Sequence, residues 1–173
     1  MRMIGTNPCK RWGRDSPCDS KRKLQRQNPA VATAQDTYAE MLKTLVAPGL
    51  RAIGFKGSGQ NYRLPSDDHW AMLGFQKSTS SDATHVRFTA NVLVVARSAW
   101  DSARAESPHL PERPTATTYW GTYIWQKRIG ALLPGGEDMW WDVEAGEDGA
   151  ELADAIVWAV RDYVLAAMRR QMK

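Results

Sequence analysis

Between Thr33 and Ile53 the apolar residues return at helical spacing: Tyr38, Met41, Leu42, Leu45 and Val46 fall on one face. Thr33 with Asp36 three residues on forms a capping box, the hydroxyl accepting from an early backbone N–H while the carboxylate reaches back. Pro48-Gly49 kinks or ends this helix. Leu50 and Ile53 keep its period, so a second short turn is expected to run to Ile53, with Gly54 suited to a left-handed cap. From Phe55 the period changes to two. Residues 60–64 and 70–77 flank the turn Pro65-Ser66-Asp67-Asp68, and 86–95 follow the polar turn 78–82, which predicts a three-stranded antiparallel meander. In the third strand Val86, Phe88, Ala90, Val92 and Val94 share one face and Arg87, Thr89 and Asn91 the other. Leu93 and Val95 make its far half apolar on both sides, as expected of a covered central strand.

Residues 96–118 break the pattern. A helical piece at 98–104 is followed by Pro108, Pro111 and Pro114, a spacing that favours an extended surface loop. Residues 119–133 and 139–143 read as strands around the turn 134–138, predicting a second hairpin. Asp148 and Glu151 then set an N-terminal box for a long helix whose buried stripe is Leu152, Ile156, Ala159, Val160, Tyr163 and Ala167. Arg169, Arg170 and Lys173 lie where the helix dipole favours cations. The order helix, three strands, loop, two strands, helix lacks βαβ alternation. It predicts an α+β fold, an antiparallel sheet of about five strands with both helices packed on one face.

Composition changes this picture only at its front end. The chain has 173 residues, 43% of them hydrophobic, enough for one core, and residues 33–173 read as a single domain. The formal charge of +4 suggests nucleic acid until the charges are located. Residues 1–30 carry a net +6, which leaves the rest at −2, a poor match for phosphate backbones. Residues 1–32 lack apolar periodicity and are expected to form a basic disordered tail, or to be upstream sequence ahead of a natural start near Val31. Nucleic acid is disfavoured as a partner except through this segment. Cys9 and Cys18 both fall in it, outside every periodic element, which suggests free thiols and a cytoplasmic protein. No run approaches the ~20 apolar residues of a membrane span, so no membrane partner is expected.

Several segments together resemble a known family. Leu50-Arg51-Ala52-Ile53-Gly54-Phe55-Lys56, Phe75-Gln76-Lys77-Ser78, Phe88-Thr89-Ala90-Asn91-Val92, Arg128-Ile129-Gly130 and Asp138-Met139-Trp140-Trp141 are similar, in that order, to the bacterial domain-of-unknown-function family 4304. The resemblance would cover about residues 34–170 and implies a small bacterial α+β domain. It implies no activity and no catalytic residues.

Candidate chemistry is sparse. His69, His85 and His109 each sit apart from a nucleophile, and no serine stands in a G-x-S-x-G elbow. The two cysteines have no histidine nearby to complete a zinc site, so neither metal nor cofactor is expected. Gly54, Gly57 and Gly59 follow a helix rather than a strand, the reverse of a phosphate loop, and read as turn glycines. Asp67/Asp68, Glu137/Asp138 and Glu147/Asp148 are explained by turns and capping.

Tryptophan stands out, with eight in the chain, of which Trp120, Trp125, Trp140 and Trp141 crowd the second predicted hairpin. Most are expected to fill the gap between sheet and helices. If Trp141 and Val143 point inward, Trp140 and Asp142 point outward, and Trp120 lies near the same rim. With Arg128, Gln76 and Asn91 they make a recognition surface of the residue types that dominate binding hot spots. The leading reading is therefore a non-enzymatic module that binds a protein or small ligand through Gln76, Asn91, Arg128, Trp140 and Trp120. A hydrolase or transferase whose site assembles only in three dimensions, and a nucleic-acid accessory acting through the basic tail, are the alternatives.

Overall fold

The computed structural model describes residues 32–173, so the readings of the basic segment and of Cys9 and Cys18 lie outside the described residues. The first element, α1 (34–52), opens with the expected capping box: Asp36 N–H donates to Thr33 Oγ1 at 3.2 Å, and Thr33 N–H to Asp36 Oδ2 at 3.0 Å. The Thr33 hydrogen bonds hold the Asp36 carboxyl below its ordinary range. The helix does not stop at Pro48-Gly49. Ala34–Met41 passes through a π-helical turn, Leu42–Val46, into Ala47–Ala52. A proline removes one donor and crowds the carbonyl a turn back, and the widened turn immediately before Pro48 accommodates that. Gly49 permits close packing, since a Cβ there would lie 2.6 Å from a Val157 methyl of the last helix.

Four strands follow as a meander: β1 (Lys56–Ser58), β2 (Asn61–Leu64), β3 (His69–Lys77) and β4 (His85–Ala96), each antiparallel to the one before. The helix α2 (Arg97–Glu106) leaves the end of β4, and the proline-rich loop follows. The predicted second hairpin does not form. Only Trp125–Arg128 (β5) of the residues 119–133 is strand, and β5 does not pair with β6 (Trp141–Glu144). Both pair with β4 instead: Arg128 lies opposite Asn91 and Trp125 opposite Val94, while Trp141 lies opposite Phe88 and Glu144 opposite His85. They are two halves of one edge strand, interrupted by an excursion at 129–140 that begins with the 3₁₀ turn Ile129–Leu132. Thr89, the one buried polar residue in the described core, sits opposite the gap and donates to the Met139 carbonyl at 2.8 Å.

The last helix, α3 (150–171), runs as Ala150–Ala159, a π-helical turn Val160–Val164, and Leu165–Gln171. Its N-cap is Gly149 rather than the Asp148/Glu151 box, and a glycine suits the position, since a Cβ at 149 would meet the Met41 side chain at 2.8 Å. Asp148 still accepts from Ala150 N–H at 3.1 Å. Both long helices lie on one face of the sheet, as expected. Tyr38, Met41, Leu42, Val46 and Leu50 of α1 and Ile156, Val160, Val164 and Met168 of α3 bury against Leu73, Phe75, Phe88, Ala90 and Val92. Phe88 touches the rings of Tyr38, Phe75 and Trp141 at centroid distances of 4.8, 6.3 and 5.5 Å. No helix of the described residues is long and apolar enough to cross a membrane.

Candidate functional site

The alternation of β3 and β4 places Trp70, Met72, Gly74 and Gln76 with Thr89, Asn91, Leu93 and Val95 on the face away from the long helices. That face divides in two. Its far half carries a cover of α2 and the proline loop: Leu93 and Trp100 are fully buried, and Gly74 lets the loop descend until a Cβ there would meet Thr117 Cγ2 at 2.9 Å. Trp120 belongs to this cover. Its ring packs edge-on against Trp100 at 5.1 Å and its indole donates to the Thr115 carbonyl at 2.8 Å. The near half has no helix over it.

On the near half the structure brings together Gln76, Asn91, Arg128 and Trp140. Asn91 Nδ2 donates to Gln76 Oε1 at 2.7 Å, leaving the Asn91 carbonyl oxygen and the Gln76 amide nitrogen without a protein partner among the described residues. Arg128 stands opposite Asn91 in register, and its Nη1 donates to both oxygens of Asp138 at 2.9 and 2.7 Å. The Trp140 indole donates to the same carboxylate at 3.0 Å. The Arg128 guanidinium lies 5.0 Å from the Trp140 ring centre and that of Arg87 5.7 Å. The hydrogen bonds from Arg128 and Trp140 hold the Asp138 carboxyl below its ordinary range. These bonds depend on the 129–140 excursion returning to the sheet. Gly130 allows the return, because a Cβ at that position would fall 2.0 Å from the Glu137 carbonyl oxygen.

A groove of about 340 Å³ runs between this row and the proline loop, walled by Gln76, Asn91, Thr117, Tyr119, Gln126 and Arg128. Gln126 ties loop to sheet: its carbonyl accepts from Trp120 N–H at 3.0 Å and its amide donates to the Thr118 carbonyl at 2.7 Å. Tyr119 stands at the rim, 74% exposed. A larger groove, about 640 Å³, lies between α1 and the loop 146–149, but its polar residues are engaged in capping and turns: Asp36 with Thr33, Thr37 with Gly146 N–H, Asp148 with Ala150 N–H.

Sequence reasoning missed three participants. His85, read as standing alone, has Nε2 at 2.7 Å from Asp142 Oδ1 on the open surface, with Arg87 Nε 4.0 Å from the same oxygen. Period 2 from Asn91 did place Arg87 on this face, but nothing in the spacing paired it with Trp140. Asp138, a turn residue by its sequence context, has a carboxylate that holds Arg128 and Trp140 together. The tryptophans also depart from expectation. Of those described, only Trp100 and Trp141 are buried, at 1% and 6% exposure, whereas Trp158 is 48% exposed. Among the described residues no three His, Cys, Asp or Glu side chains gather as a metal site would require.

The family model described as a domain of unknown function, DUF4304, matches residues 46–170. No curated protein and no solved structure matches the chain.

Proposed function

The chain belongs to the DUF4304 family, a description that carries no activity, and from that premise we propose that the domain is a non-enzymatic binding module whose ligand face is the near half of the sheet. One observation carries the reading. Gln76, Asn91, Arg128 and Trp140 form a connected row along the near half of that face, beside an open groove. A free amide donor and a free carbonyl acceptor face the groove side by side, the complement of a peptide or carboxamide group. Trp140 adds an aromatic ring with the Arg87 and Arg128 guanidiniums beside it, residue types suited to a binding anchor. Trp120 takes part by holding the loop that forms the opposite wall. A cytoplasmic setting belongs to the same proposal and is supported by the confinement of both cysteines to residues 1–20, which leaves the core without a disulfide.

Affinity purification from the native host tests it, using the full chain and an Arg128→Ala/Trp140→Ala variant as baits. The expected result is a partner, protein or small molecule, retained by the wild type and lost by the variant. Retention of every partner by a folded double variant overturns the reading.

A further inference from the structure

At the opposite end of the same face lies a second cavity, of about 440 Å³, walled by Arg63, Trp70, Arg97, Asp101, Arg104, Glu112 and Arg113. Its arginines come from three parts of the chain: Arg63 from β2, Arg97 and Arg104 about two turns apart on α2, and Arg113 from the proline loop, against Trp70 of β3. Four guanidiniums meet two carboxylates, and the one ion pair formed is the loose Arg104–Asp101 contact at 3.8 Å. Arg63, Arg97 and Arg113 have no carboxylate partner among the described residues.

Two further features turn a cluster of charge into a shaped site. Arg97 is immobilised: its guanidinium lies over the Trp70 ring at 4.0 Å while Nη2 donates to the Ser66 carbonyl at 2.8 Å. Arg113 approaches the same ring at 5.9 Å. In addition, three buried N–H groups of the wall, Trp70 Nε1, Arg97 Nε and Arg104 Nε, find no acceptor in the protein. Native structures pair nearly all such donors, and an unpaired buried donor costs the fold its hydration with nothing in return. A site rich in donors and short of acceptors is completed by a ligand that supplies acceptors and negative charge.

We infer that this cavity binds a small oxyanion, a carboxylate or phosphate group gripped by Arg97, Arg104 and Arg113 beside the Trp70 ring. Guanidinium forks match the oxygens of both groups, and the pre-set Arg97 lowers the ordering cost. Because the Trp70 ring already carries Arg97, stacking of a planar base is not what the site offers; the charged group itself is the recognised element. The inference is independent of the groove around Asn91 and stands if that reading fails.

The test is a titration of the full chain, in low-salt buffer, with inorganic phosphate and separately with succinate, following the Trp70 indole N–H resonance. Residues 1–30, at net +6, attract anions by themselves, so bulk binding heat is not diagnostic, whereas the Trp70 signal reports on this cavity. The expected result is a saturable shift with at least one probe, weakened at least ~10-fold in Arg113→Gln, an exposed position whose replacement leaves the fold intact, and more in Arg104→Gln/Arg113→Gln. A response to phosphate alone assigns the site to phosphate esters, and a response to succinate alone assigns it to carboxylates. No saturable Trp70 shift with either probe at about 10 mM overturns the inference, as does a shift that Arg104→Gln/Arg113→Gln leaves unchanged.

Discussion

The two faces of the sheet are built from the same strands to opposite ends. On the helix-covered face, Ala71, Leu73 and Phe75 of β3 and Val86, Phe88, Ala90, Val92 and Val94 of β4 are apolar and meet two long helices, so these positions serve packing. On the other face the identical alternation delivers Met72, Leu93 and Val95 under a thin cover at one end and Gln76, Asn91, Arg87 and Arg128 to open groups at the other. A strand buried on one side only is free to place chemistry on the second side without disturbing the first. The consequence is a sharp difference in what substitutions do.

Phe88→Ala should be the most costly change. It removes a fully buried ring in contact with Tyr38, Phe75 and Trp141, and a loss of about 4–5 kcal/mol is expected in chemical denaturation. Trp100→Ala should cost about 3 kcal/mol, less because the short α2 and the loop above it collapse more readily than two long helices do. An equal loss at both sites would erase the distinction between core and cover. Gly130→Ala should cost about 1–3 kcal/mol, since the new methyl collides with the Glu137 carbonyl, and it should also displace Asp138 and Trp140 from Arg128. Arg128→Ala and Trp140→Ala should leave the denaturation midpoint nearly unchanged, because the Arg128–Asp138 pair is solvent-exposed.

Titration separates the faces in the same way. Burial pushes the Tyr38 hydroxyl, on the core face, up to about 12. Its contribution to stability is complete below the ordinary tyrosine value near 10 and is lost as pH rises toward 12. Asp138 is shifted the other way, held down by its Arg128 and Trp140 hydrogen bonds. Its contribution is complete above the ordinary carboxylate value and disappears as pH falls through the lowered one, so the Trp140 indole resonance should stay fixed at neutral and mildly acidic pH and move only as pH falls below the ordinary carboxylate range. Movement at neutral pH would show that the Asp138 carboxylate does not hold the indole.

What could be read from the chain is what local periodicity encodes. Thr33 and Asp36 cap α1 through backbone three residues away, and the alternation from Val86 to Val94 assigns each side chain to a face without knowledge of its neighbours. The interrupted edge strand was invisible for the converse reason. Residues 129–140 have no period, and their return to β4 depends on contacts such as Thr89 with Met139, fifty positions apart. The packing of Met41 against Gly149, the cap of α3, is likewise a tertiary constraint with no local mark. At the candidate site, the shared face of Gln76 and Asn91 followed from alternation, whereas the link from Arg128 to Trp140 runs through Asp138 and the excursion. Trp120 was set on the same rim by sequence proximity; the loop carries it to the cover instead, against Trp100.

The central claim, that recognition belongs to the uncovered half of the second face, is tested most directly by hydrogen exchange on the full chain with and without the partner it captures. New protection confined to Gln76, residues 87–91 and residues 126–140 is the predicted result. Protection that falls instead on the outer surfaces of α1 and α3, where Leu45 and Trp158 are exposed, would contradict it.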